Sequence, residues 1–104
     1  MMVYEMRMYT LRPGKISQFE EMIEQEGLPI ISKYSKLVGW WSTEIGTLNE
    51  VVHIWAYEDM NHRTRARAAQ LKDPQFMRFK RKAIELIVSQ RNNILTPASF
   101  SPLQ

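Results

Sequence analysis

The stretch Glu50-Val51-Val52-His53-Ile54-Trp55-Ala56-Tyr57-Glu58 decides the fold. β-branched and aromatic side chains dominate it, neither glycine nor proline interrupts it, and a glutamate stands at each end, so it reads as the best strand in the chain. Gly46-Thr47-Leu48-Asn49 before it is a short turn. Leu37 to Gly46 reads as the preceding strand, and the two strands pair as a hairpin. Within that preceding strand, adjacent Trp40 and Trp41 must point to opposite faces.

Toward the N-terminus, Val3 to Leu11 alternates. Tyr4, Met6, Met8 and Thr10 share one face, and Val3, Glu5, Arg7, Tyr9 and Leu11 share the other, which predicts a strand ended by Arg12-Pro13-Gly14. From Lys15, the residues Ile16, Phe19, Met22 and Ile23 form a helical stripe. Gly27-Leu28-Pro29 interrupts it, and Ile30, Ile31, Tyr34 and Leu37 continue after a kink, because a proline is tolerated in a helix's first turn. Toward the C-terminus, Asp59 and Asn61 are N-cap candidates for a helix running to about Leu71. Asp73-Pro74 opens another helix through about Glu85, and Leu86 to Leu95 forms a last strand. The tail from about 96 to 104, with Pro97 and Pro102, is expected to be irregular. The order β-α-β-β-α-β in a single domain of residues 1–104 is the α+β, ferredoxin-like arrangement, an antiparallel sheet with helices on one face.

Composition narrows the function. Hydrophobic residues at 44% and charged residues at 24% describe a globular chain rather than a disordered one. The absence of cysteine excludes disulfide scaffolds, zinc ribbons and thiol nucleophiles. No apolar run approaches the roughly 20 residues of a membrane span. Met1-Met2-Val3-Tyr4-Glu5 has neither the apolar core of a signal peptide nor transit-peptide character, so a cytoplasmic domain without membrane contact is expected. The net charge is +3, with basic residues gathered between Arg63 and Lys82. They alternate with Ala66, Ala68, Ala69, Leu71, Phe76 and Phe79 at helical spacing, the pattern of a solvated helix face rather than a nucleic-acid surface. The acidic run Glu20 to Glu26 could attract this basic segment across a subunit contact. Four glycines, none in a G-x-G pattern, leave nucleotide cofactors unsupported, and two histidines give little basis for a metal or haem site. Arg63 and Arg67 share a helix face and read as solvated, unless their helix starts near a pocket mouth, where either would hold an anion.

Assigning the sheet faces brings a candidate site into view. The apolar set Met6, Met8, Val52, Ile54 and Ala56 is expected against the helices. The opposite set, Glu5, Arg7, Tyr9, His53, Trp55 and Tyr57 with one of the two tryptophans, is expected on the bare face. A bare face this aromatic predicts a two-fold homodimer with the sheets packed together around a barrel-like interior. Aromatic walls with a few polar groups describe a small-molecule pocket, here Tyr9, Trp41, His53, Trp55 and Tyr57, with Glu5 and Arg7 supplying polarity. The competing reading is a Glu5–Arg7 salt bridge and a hydrogen-bonded His53 sealed in the dimer core. His62, beside a helix N-cap, is expected to be exposed and without a role.

Several stretches are recognisable. Tyr4-Glu5-Met6-Arg7-Met8-Tyr9-Thr10-Leu11, Lys36-Leu37-Val38-Gly39-Trp40-Trp41-Ser42, Leu48-Asn49-Glu50-Val51-Val52-His53-Ile54-Trp55-Ala56-Tyr57 and Ser89-Gln90-Arg91-Asn92-Asn93-Ile94-Leu95-Thr96-Pro97 resemble the NIPSNAP family over essentially the whole chain. The resemblance implies the dimeric α/β-barrel superfamily, which also includes cofactor-independent monooxygenases. Three functional expectations follow. The first is a NIPSNAP-like homodimer, without cofactor or metal, that binds a small molecule. The second is a cofactor-independent oxygenase or proton-transfer enzyme, with His53 as general base and Arg7 stabilising an enolate-like anion. The third is a structural or protein-interaction module.

Overall fold

The period-two segments build a sheet and the helical segments cover it in the computed structural model, which describes residues 1–104. The strands are β1 (Val3–Leu11), β2 (Lys36–Ser42), β3 (Glu50–Tyr57) and β4 (Ile87–Leu95). The helices are α1 (Ile16–Met22) and α2 (Leu28–Ile31) after β1, then α3 (Met60–Lys72) and α4 (Pro74–Ala83) after β3. The sheet order is β2-β3-β1-β4 and every pairing is antiparallel, so the fold is the ferredoxin-like α+β arrangement. The tail after β4 carries no helix or strand. No helix is long and apolar enough to cross a membrane.

Local chemistry accounts for the boundaries. β1 ends at the turn before α1, where Gly14 takes φ +76°, a conformation that costs glycine nothing. The expected kink between α1 and α2 is a π-helical turn, Ile23–Gly27, followed by Pro29 in the first turn of α2. Gly27 is required there by close approach, because a Cβ would lie 2.5 Å from Cζ of Phe79 on α4. Asp59, rather than Asn61, caps α3 by accepting the His62 backbone N–H at 2.7 Å. His62 Nδ1 in turn accepts from the Glu58 N–H at 2.9 Å, so this histidine serves the helix start. Asp73 caps α4 by accepting from the Gln75 N–H at 2.9 Å, with Pro74 opening the helix. The acidic and basic segments meet within one chain, through the Lys82–Glu26 ion pair, rather than needing a second subunit. β2 stops at Ser42, short of the expected Gly46, where the Thr43 N–H to Glu50 carbonyl bond closes the hairpin.

The faces are the reverse of the sequence expectation. Val3, Glu5, Arg7, Tyr9 and Leu11 of β1 and Val51, His53, Trp55 and Tyr57 of β3 lie under the helices. Tyr4, Met6, Met8, Val52, Ile54 and Ala56 form the outward face. The helix-covered face has an apolar cluster at each end. One joins Leu11 and Val51 to Phe19, Phe76, Phe79, Ala83 and Leu86, and the other joins Val3, Trp55 and Tyr57 to Ala66. The polar residues lie between these clusters, where α3 and β4 supply partners for them. Burying a charge is tolerated only with such partners, so polarity at mid-strand did not mark the bare face.

The two tryptophans are sorted by a bulge. Leu37 pairs with Trp55 and Gly39 with Ile54, leaving Val38 as the extra residue, so Leu37 and Trp40 share the inward face despite their odd spacing. Trp41 therefore lies outward, 53% exposed, its ring packed over Gly39.

Candidate functional site

Between the two apolar clusters, Glu5 faces Trp55 and Arg7 faces His53 across β1 and β3. These two rows floor a cavity of about 160 Å³, whose lining also takes in Arg67 and Gln70 of α3 and Phe76, Phe79 and Lys80 of α4. That volume is close to the roughly 150 Å³ that accommodates benzene in a protein interior, so the space is sized for a single ring.

Glu5 is completely buried and is the hub of the polar band. It accepts from Arg63 Nε at 3.1 Å and Nη2 at 2.8 Å, from Arg7 Nη1 at 3.0 Å and from Asn92 Nδ2 at 2.6 Å. Burial by itself would raise its pKa. The bonds from Arg63 and Asn92 and the charges of Arg7 and Arg63 outweigh burial and hold it at about 2. The two-pronged Arg63 contact ties α3 to the sheet, which matters because only Ala66 and Gln70 of that helix are buried. Arg7 Nε donates to the Tyr9 hydroxyl at 2.9 Å, fixing both side chains on the cavity floor.

His53 is 3% exposed. The Trp40 ring stacks on it at 4.2 Å and 16°, and Tyr9 meets it edge-on at 4.8 Å. Trp55 Nε1 donates to His53 Nδ1 at 2.7 Å. An indole N–H can only donate, so Nδ1 is the acceptor and the neutral ring carries its proton on Nε2. Burial, reinforced by the charge of Arg7, pushes the His53 pKa down to about 3 against a weaker opposing pull from Glu5. Its Nε2 has no partner, and neither has Oε1 of Gln70, a residue only 2% exposed. They are the only buried side-chain polar atoms in the chain left unpaired, and both residues line this cavity.

The structure brings Glu5, Arg7, Tyr9, His53, Trp55 and Tyr57 together around the cavity, on the covered face rather than the bare one. Tyr57 reaches Ser35 through a 2.9 Å hydroxyl–hydroxyl bond. Trp41 does not join them. Its place is taken by Trp40, whose indole N–H donates to Glu20 Oε2 at 2.8 Å. The proton-acceptor role expected of His53 does not fit the Trp55 bond, which occupies the one free lone pair of the neutral ring. Gln70, Asn92 and Lys80 were not singled out as site residues from sequence, and Arg63, read there as solvated or as an anion holder at a pocket mouth, pairs with Glu5 instead. Only the helical spacing of Arg63, Arg67 and Gln70 hinted that one face of α3 carries polar groups inward. No three His, Asp or Glu side chains gather as a metal site would require.

Comparisons with known proteins agree with this architecture. Human Protein NipSnap homolog 3B is 34% identical over 103 residues, covering 98% of this chain and 42% of that protein, so the chain spans less than half of its relative's length. A NIPSNAP family protein of unknown function from Agrobacterium tumefaciens superposes with a TM-score of 0.96 at 40% identity, over 99% of this chain and 94% of that one. SnoaB, a cofactor-independent oxygenase from Streptomyces nogalater, superposes with a TM-score of 0.69 over 97% of each chain at 18% identity, a likeness of fold alone. The NIPSNAP family match itself runs over residues 4–102, through every strand and helix that lines the cavity, and the chain belongs to the NIPSNAP family.

Proposed function

We propose that this chain is a homodimeric small-molecule-binding domain that holds its ligand between sheet and helices. The observation that carries this reading is that the two residues with unpartnered buried groups, His53 at Nε2 and Gln70 at Oε1, both line one aromatic-walled cavity. Each such group destabilises a fold by about 1–3 kcal/mol unless something bonds to it. A purely structural core would have sealed this space with apolar side chains. The dimer rests on the outward sheet face, where Met6, Val52, Ile54 and the half-exposed Trp41 leave an apolar surface.

A second reading, an enzyme of the cofactor-independent oxygenase type, draws on the fold likeness to SnoaB and on the juxtaposition of His53 with Arg7. In that case the neutral His53 would donate to a developing oxyanion rather than remove a proton. Native mass spectrometry of the freshly purified protein tests the main reading. A dimer carrying a small retained mass is the expected result, and a monomer overturns the dimer. If the mass is clean, a screen of ring-sized fragments is read on the Trp40 and Trp55 indole N–H resonances. A screen that moves neither resonance overturns the pocket.

A further inference from the structure

The charges around the cavity are unbalanced in a way that the Glu5 hub does not explain. The lining carries one carboxylate, Glu5, and three cations, Arg7, Arg67 and Lys80, an excess of two positive charges. Glu5 is already occupied by Arg7, Arg63 and Asn92. Neither Arg67 nor Lys80 pairs with any acidic side chain in the chain. Among the buried lining residues, His53 carries an unpartnered N–H that can only donate, and Gln70 an unpartnered carbonyl oxygen that accepts. A cation would be repelled by this lining, and a plain hydrocarbon ring would leave both inner polar groups unbonded.

Taking the small-molecule pocket as its basis, we infer that the ligand is a flat, ring-sized organic acid. Its carboxylate meets Arg67 and Lys80, and an oxygen at its far end accepts from His53 Nε2. A hydroxyl at that end satisfies both inner groups at once, because it accepts from His53 while donating to Gln70. Arg67 suits the outer role, since a guanidinium matches carboxylate geometry. The cavity volume limits the acid to a single ring with short substituents.

The test compares 4-hydroxybenzoate with 4-hydroxybenzamide, which has nearly the same shape and no charge. Both are titrated into the full chain, with the His53 and Trp55 ring resonances as readout. The acid is expected to bind about tenfold more tightly than the amide. The double variant Arg67→Gln/Lys80→Gln is expected to bring the two affinities within about twofold while the amide still binds. Equal affinities in the unaltered protein, or tighter binding of the amide, overturn the acid and leave the pocket standing. A preference that survives in the double variant overturns the assignment of the carboxylate to Arg67 and Lys80. If neither probe shifts a lining resonance while other ring fragments do, the ligand class is wrong. If no fragment does, the pocket itself falls.

Discussion

Trp55 Nε1 donates to Nδ1 of His53, two residues earlier on the same face of β3, across 2.7 Å. This bond decides which nitrogen of the imidazole carries the proton, and so makes His53 a hydrogen-bond donor at Nε2 rather than a base. Trp40 stacked on one side and Tyr9 at the edge hold the ring in that orientation.

Trp55→Phe removes the lock. Long-range ¹⁵N NMR of the unaltered protein is expected to show His53 purely as the Nε2–H tautomer near neutral pH. The variant is expected to show both tautomers and to lose about 1–3 kcal/mol in urea unfolding, because Nδ1 is left buried without a partner. A variant that kept the single Nε2–H form would mean that something other than Trp55 sets the tautomer.

Acid should weaken the fold in two stages. His53 titrates at about 3 when folded against 6.5 when free, so between those values the unfolded chain binds more protons and stability falls as pH falls. Glu5 titrates at about 2 against 4.5, and its contribution, fully present above 4.5, is lost as pH drops through that window. Urea midpoints measured against pH check both. Glu5→Gln is expected to flatten the lower stage and to destabilise the protein by about 3 kcal/mol at neutral pH, since Arg7 and Arg63 lose their shared carboxylate. Amide exchange should quicken in α3, the helix that Arg63 ties down.

Gly27→Ala should overpack the helical layer. The new methyl would meet the Phe79 ring at 2.5 Å, and Phe79 is only 5% exposed, so the ring has little room to withdraw. A loss of about 1–3 kcal/mol is expected by thermal or urea unfolding. Adding Phe79→Leu should recover part of it, giving a double variant less destabilised than the sum of the singles.

Ile54→Asp puts a charge on the outward face while leaving the cavity residues of β3 untouched. Sedimentation is expected to show a monomer with an unchanged His53 resonance. A folded Ile54→Asp dimer would remove the outward sheet face as the interface.

Much of the architecture was legible because local signals agreed with one another. Val3–Leu11 carries a period-two pattern centred on Glu5-Met6-Arg7-Met8, and β1 has those bounds. Asp73-Pro74 marks the start of α4, where cap and proline both act as their chemistry requires. The site was legible in membership more than in location. Glu5, Arg7, Tyr9, His53, Trp55 and Tyr57 do share one face, but that face is covered by helices. Their polarity pointed outward only because their partners, Arg63 and Asn92, stand 58 and 87 residues away from Glu5 in the chain.

The sequence by itself determined the order of strands and helices, the helix caps, the family and the two groups of residues that share a sheet face. Tertiary structure alone decided which group the helices cover. A period of two says which side chains point the same way and nothing about which way that is. Both faces of this sheet carry enough apolar surface to be buried, so hydrophobicity did not break the tie. Tertiary structure also chose Trp40 over Trp41, through one extra residue at Val38 that reverses the alternation of β2. The same packing set a tryptophan N–H against one nitrogen of His53 and left the other buried without a partner, in a residue that lines the ring-sized cavity.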